Sequence, residues 1–154
     1  MSSTPSHANM AKSAGCAAKI AQTDLVKALA HLPRSDDPNL IVDHEGSDDA
    51  AVYQLSAELA LVETVDIFPS IVIHLFDYGR IAANNALSEF YAMSGKSISA
   101  RSFVGWPVEV LGMDQLGSVL KGAASICSQA RIAIAGGHSN VDSEPKFGLF
   151  DRLV

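Results

Sequence analysis

Acidic side chains stand at the edges of apolar runs through the middle of this 154-residue chain: Asp48 and Asp49, then Asp66, then Glu89. AAVYQL and ELALVETV read as strands from their density of Val, Leu and Tyr, so Asp48 and Asp49 precede the first and Asp66 follows the second, all at strand ends. From Asp77 to Met93 the spacing becomes helical: Ile81, Asn85 and Glu89, four apart, share one face, while Leu87, Phe90 and Tyr91 turn elsewhere. An amide and a carboxylate one turn apart, joined by carboxylates from strand ends, make an oxygen-rich set of the kind a Mg²⁺–phosphate site needs, because hard cations take oxygen ligands. The same residues also read as solvated acids and an exposed helix face, and spacing alone leaves both readings open.

A second centre lies near the start. Gly15-Cys16-Ala17-Ala18-Lys19 places a thiol three residues before an ammonium, and a nearby cation favours the nucleophilic thiolate. The alternative is a small buried cysteine, one of the most buried residue types. Cys127 has no CxxC spacing with Cys16, so neither a zinc site nor a disulfide framework is indicated. Gly136-Gly137-His138-Ser139 follows the strand-like RIAIA as a loop whose glycines let backbone approach a ligand closely.

The elements that must position these groups follow from pattern. Residues 1–14 are rich in Ser, Ala and Lys without periodicity and read as a mobile arm. Thr23 can cap a short helix, TDLVKALAHL, with an apolar stripe of Leu25, Val26, Leu29 and Leu32, ended by Pro33. A polar connector surrounds a short strand-like run, Leu40 to Val42, and its Asp36, Asp37 and Asp43 read as solvated, without a role. DIFPSIVIHLFDYG reads as an unusually apolar loop, with His74 as a half-buried polar residue because no second ligand stands at a metal-binding spacing. SISARSFVGW reads as a strand in which Arg101 would need a carboxylate if its face were buried. A second long helix runs from Asp114 or Gln115 to Ala130 with Cys127 on its packed side, and EPKFGLF is the last strand-like block. Two long helices and five or six strands in this order give an α+β fold, with helices packed on one face of a mixed sheet.

Composition narrows the function classes. The chain is 48% hydrophobic and 18% charged, ordinary for one globular domain. A net charge of −6 argues against a nucleic-acid or anionic-membrane surface. No run approaches the ~20 apolar residues of a membrane span, and MSSTPSHANMAKSAG lacks the apolar core of a secretory signal, so a cytoplasmic address is expected.

Together, SDDAAVYQLS, LVETVD, FDYGRIAANNALSEFYAMSGK and AGGHS followed by SEPKFGL, with GCAAKI near the start, resemble the N-terminal half of selenophosphate synthetase (selenide, water dikinase) from about Gly15 to Leu149. The resemblance implies the domain that this family shares with aminoimidazole ribonucleotide synthetase, an ATP-binding unit over 15–154 that pairs its sheet with a second copy in a homodimer. It implies ATP-dependent phosphorylation of selenide to selenophosphate with Mg²⁺, releasing AMP and orthophosphate. Cys16 would handle selenium and Lys19 would be catalytic at the phosphates. Asp49, rather than Asp48, would ligate metal together with Asp66 and Glu89. Thr64, Asp66 and Asn85 would meet phosphates and metal, and Gly136, Gly137, His138 and Ser139 would contact the nucleotide, often across the dimer interface.

Several positions depart from the family pattern. Glu89 replaces an Asp, Ser94 and Arg131 replace glycines, and the apolar IVIHL replaces an acidic turn. The family's C-terminal domain, a source of a further metal-ligating acid, is absent from this sequence. Its place could be filled by a separate C-terminal half, and the alternative reading is a truncated ATP-binding or dimerisation module without turnover.

Overall fold

Strand alternation sets the layers of this molecule. The computed structural model describes residues 19–44, 50–92 and 97–154, apart from the side chains of residues 89, 90, 92 and 153. The elements are α1 (Gln22–Leu29), β1 (Leu40–Val42), β2 (Ala50–Ser56), β3 (Leu59–Pro69), α2 (Leu75–Ala92), β4 (Ser97–Trp106), α3 (Met113–Gln129), β5 (Ala133–Val141) and β6 (Lys146–Leu153). They form one six-stranded sheet in the order β1-β2-β3-β6-β4-β5. All neighbours are antiparallel except β4 and β5, the pair that α3 connects as a crossover. The expected α+β sheet with helices on one face is therefore the observed architecture.

Thr64, Asp66 and Phe68 of β3, Ala100, Val104 and Trp106 of β4, and Phe147, Leu149 and Asp151 of β6 are buried. Successive strand side chains point to opposite sides, so these define the face that α2 and α3 cover. The helices contribute Tyr78, Ala82, Ala83, Ala86 and Leu87 from α2 and Leu116, Val119, Ala123 and Cys127 from α3. The Tyr78 hydroxyl donates to the Phe68 carbonyl at 2.6 Å, which satisfies the polar end of a fully buried ring. The other sheet face carries Val65, Arg101, Phe103 and Phe150. Arg101 is exposed with its guanidinium 6.0 Å from the centre of the Phe150 ring, so the buried carboxylate partner is not required; an aromatic face supports the cation instead.

α2 and α3 cross closely because both are glycine at the contact. A Cβ on Gly79 would stand 1.9 Å from the Val119 carbonyl oxygen, and one on Gly122 would stand 2.0 Å from that of Phe76.

Three local expectations need correction. Thr23 lies inside α1, not at its cap: the Ala21 carbonyl already accepts from the N–H groups of Asp24 and Leu25, and Ala21 has no side-chain cap. α1 ends at Leu29, before Pro33, and none of its residues is buried, so its apolar stripe meets no core among the described residues. Asp37 also has a role. Its carboxylate accepts from the Asn39 N–H at 2.9 Å and the Tyr53 hydroxyl at 2.9 Å, which ties the connector to β2.

Arg131 follows α3 with φ of 60°, the left-handed conformation expected where the helix stops. An L-residue pays for that conformation about 1–2 kcal/mol. Arg131→Gly is therefore expected to raise unfolding stability by about 1 kcal/mol, read as a higher urea midpoint at unchanged slope.

Candidate functional site

Residue alternation on β3 turns Thr64 and Asp66 toward α2, at 5% and 9% exposure. Asp66 is not at a strand end: β3 continues through Pro69 because Asp66 to Pro69 pair with Leu149 to Lys146 of β6, a partner remote in sequence. On α2, Asn85 is half-buried and its Nδ2 donates to Asp66 Oδ2 in a short contact. Thr64 pairs with Ala50 on its other side, the residue directly after Asp49. Asp48, Asp49, Cys16 and Ser94 lie outside the described residues, as does the side chain of Glu89, whose backbone belongs to α2 one turn beyond Asn85.

A cavity of about 650 Å³ runs along the same side of α2, lined by Val72, His74, Arg80, Ile81, Asn84 and Asn85 among others. His74 is exposed at its mouth, not half-buried, because the chain bends there just before α2 begins at Leu75. Nor is the whole apolar stretch a loop: Asp66 to Pro69 belong to β3 and Leu75 onward to α2, Phe68 and Tyr78 are buried, and only residues 70–74 connect the two elements, where Val72 packs against the core and Ile73 is 72% exposed. Arg80, Asn84 and Ser88 were not singled out by the sequence reading. They are spaced four apart in the row adjoining Ile81, Asn85 and Glu89, which is the signal that could have found them.

The Gly136–Ser139 segment is not a loop. β5 runs straight through it to Val141, and Gly136, at φ of 139°, sits at a register shift between β4 and β5. Gly137 lies so close to β4 that a Cβ would stand 2.1 Å from the Ser102 carbonyl oxygen. Gly137, Ser102, Leu149 and Asp66 form one cross-strand row. Three strand spacings, about 14 Å, therefore separate Gly137 from Asp66. His138 pairs with Phe103 at 5.6 Å between ring centres, on the helix-free face. Within one chain the structure thus brings Thr64, Asp66 and Asn85 together and leaves Gly136–Ser139 apart.

Lys19 is exposed, ahead of α1. Cys127 is buried on α3, where burial first and the charge of Asp151 second push its thiol up to about 11. That makes it a packing residue with little thiolate. The described part of the site offers a carboxylate, a hydroxyl and an amide, a donor set of oxygens that suits a hard cation. No group of three His, Cys, Asp or Glu side chains among the described residues is arranged to hold a metal by itself.

The family model described as AIR synthase related protein, N-terminal domain, matches residues 47–150. The chain belongs to this family. It is 47% identical over 151 residues to selenide, water dikinase of Paraburkholderia xenovorans, covering 96% of this chain and 42% of that protein. Against selenide, water dikinase of Photobacterium profundum the identity is 48% over 137 residues, covering 88% and 40%. The chain thus spans about two fifths of the length of the curated relatives it matches. Among solved structures, tt0281 from Thermus thermophilus superposes with a TM-score of 0.68 at 18% identity, over 86% of this chain and 43% of that one. At that identity the likeness speaks for fold alone.

Within the matched AIR synthase-related domain lie Asp49, Thr64, Asp66, Asn85, Glu89 and Gly136–Ser139. Cys16 and Lys19 precede it. No helix among the described residues is long and apolar enough to cross a membrane.

Proposed function

We propose that this chain is the ATP-binding, N-terminal part of a selenide, water dikinase, converting ATP, selenide and water into selenophosphate, AMP and orthophosphate. The observation that carries the reading is the 47% identity over 151 residues to a relative of that name. In this reading residues 1–14 are an arm and 15–154 the domain, acting with a C-terminal portion of the kind the longer relatives possess. The chain works in the cytoplasm.

Cys16 handles selenium, and Lys19 steadies charge on the phosphates by its ammonium. Thr64 and Asn85 offer a hydroxyl and an amide to phosphate oxygens, with Asn85 held in place by Asp66. Asp49, Asp66 and Glu89 would hold Mg²⁺, which supplies positive charge that neutralises the phosphates during transfer. Gly136, Gly137, His138 and Ser139 contact nucleotide from a second copy. Their distance from Asp66 along the row through Ser102 and Leu149 supports an interchain role. The helix-free face, where Val65 is 51% and Phe103 38% exposed, is the surface offered for sheet-to-sheet pairing.

The test combines the chain with the C-terminal portion of a selenide, water dikinase, in trans or by fusion, and measures selenide-dependent AMP formation with phosphorus NMR of the product. Activity that disappears in Cys16→Ser supports the proposal. A fused, folded protein that consumes ATP without requiring selenide sinks it.

A further inference from the structure

The cavity along α2 holds more room than the Asp66–Asn85 pair uses. Its volume of about 650 Å³ lies within the range of small-molecule sites, about 300–1,000 Å³. Val72, Ile81 and Ile126 form its apolar part, and because Val72 and Ile126 pack against the core, the close crossing of α2 and α3 at Gly79 and Gly122 fixes that wall. The polar part comes from the first half of α2 and the residue before it.

Bonds already made decide what each polar group still offers. The Ser88 hydroxyl donates to the Asn85 carbonyl at 2.7 Å, and Asn85 Nδ2 is turned to Asp66, so neither is the main donor into the cavity. Arg80 is different. Its Nη1 meets Asp77 Oδ1 at 3.5 Å, the outer limit of a hydrogen bond, and the two side chains are 47% and 49% exposed. Such an exposed pair holds loosely. The contact occupies Asp77, the acid of the lining, and leaves the Nε–Nη2 edge of the guanidinium without a partner among the described residues. That edge presents two parallel N–H groups, the fork that grips two oxygens of a phosphate. Asn84, one turn further along, adds an exposed amide without a partner among the described residues, and His74 adds a ring N–H at the mouth. The unpaired N–H groups of the first turn of α2 add partial positive charge on this side.

We infer that the cavity is a phosphate subsite that works without metal, with Arg80 as its gripping cation and Asn84 and His74 as flanking donors. The inference rests on the proposed function, whose reaction ends in free orthophosphate as well as selenophosphate. On the Asp66 side of Asn85 the lining is acidic and receives an anion only through a cation. The Arg80 side needs none. Asn85 forms the wall between the two, so a phosphate gripped by Arg80 sits one side chain away from the phosphates held at Asp66.

The experiment titrates the full chain with inorganic phosphate, all divalent metal chelated and ionic strength matched with sodium chloride, and follows by NMR the Arg80 Nε–H, the Asn84 amide and the His74 ring. Saturable shifts at these three groups are expected, with phosphate affinity about tenfold weaker in Arg80→Gln and intermediate in Arg80→Lys, which keeps the charge and loses the fork. Urea midpoints of both variants should match wild type, since Arg80 is an exposed side chain. Unchanged phosphate affinity in Arg80→Gln, or shifts that chloride reproduces, overturns the inference. Loss of metal-free phosphate binding in Asp66→Asn with Arg80 intact overturns it as well, because the anion would then belong to the Asp66 side. Should Arg80→Gln fail to fold, the wild-type signal decides: a saturable shift of the Arg80 Nε–H upholds the subsite and a static one overturns it. Failure of the proposed function is read separately. A fused protein that lacks selenide-dependent AMP formation while phosphate still shifts Arg80 sinks the kinase reading alone, and an active fused protein whose Arg80 ignores phosphate sinks the subsite alone.

Discussion

Gly122→Ala is expected to lower unfolding stability by about 2 kcal/mol even though alanine is the better helix former. The new Cβ would meet the Phe76 carbonyl oxygen at 2.0 Å and its carbon at 2.9 Å, and both belong to backbone that no side-chain rotation can clear. Carbon and oxygen need about 3.3 Å or more, so the helices must separate by roughly an ångström and loosen the core behind them. Overpacking of this kind costs about 3 kcal/mol at the upper end of its usual range, offset by about 1 kcal/mol of helix propensity. Gly117→Ala on the same helix is the control. Nothing lies within 4 Å of its Cβ position, so there the propensity gain stands alone and the variant should be more stable than wild type. Urea midpoints of the two variants decide the matter. Two alanine substitutions that stabilise alike would mean that α2 and α3 do not cross as closely as described.

The contrast between these glycines shows where sequence reading stops. Helical spacing made α2 and α3 visible, since apolar residues recur every turn in each. A glycine inside a helix, however, signals only a local cost until its neighbour across the interface is known, and Gly79 and Gly122 meet across a long stretch of sequence. Asp66 failed for the same reason. The run after ETV could be a strand continuing or a strand ending, and its pairing with Leu149 to Lys146 decides that. Arg131 was legible because helix ends favour a left-handed residue, a constraint local to the chain. His74 was not, because its exposure depends on where α2 begins. The joining of Asp66 to Asn85 was foreseen in kind, as an oxygen-rich cluster, but the hydrogen bond between them needed the register of strand against helix.

That hydrogen bond separates fold from function in a second large effect. Asp66 is 9% exposed, and Asn85 supplies a donor to one of its oxygens. Asn85→Ala removes the donor and leaves a carboxylate less satisfied in a largely desolvated place, at an expected loss of about 2 kcal/mol near neutral pH. Asp66→Asn should behave differently. The two amides can still pair, so stability should change by less than about 1 kcal/mol, while the negative charge proposed to attract Mg²⁺ is gone. Mg²⁺-dependent ATP binding by the Asp66→Asn variant is therefore expected to weaken at least tenfold, about 1.4 kcal/mol. Calorimetry with and without Mg²⁺ reads the binding, and urea unfolding reads the fold. Unchanged Mg²⁺-dependent affinity in Asp66→Asn would remove Asp66 from the proposed site. An equal loss of stability in both variants would show that the pair serves packing first. Loss of binding in a stably folded Asp66→Asn is the outcome that a metal-holding carboxylate requires, because only the charge has been taken away.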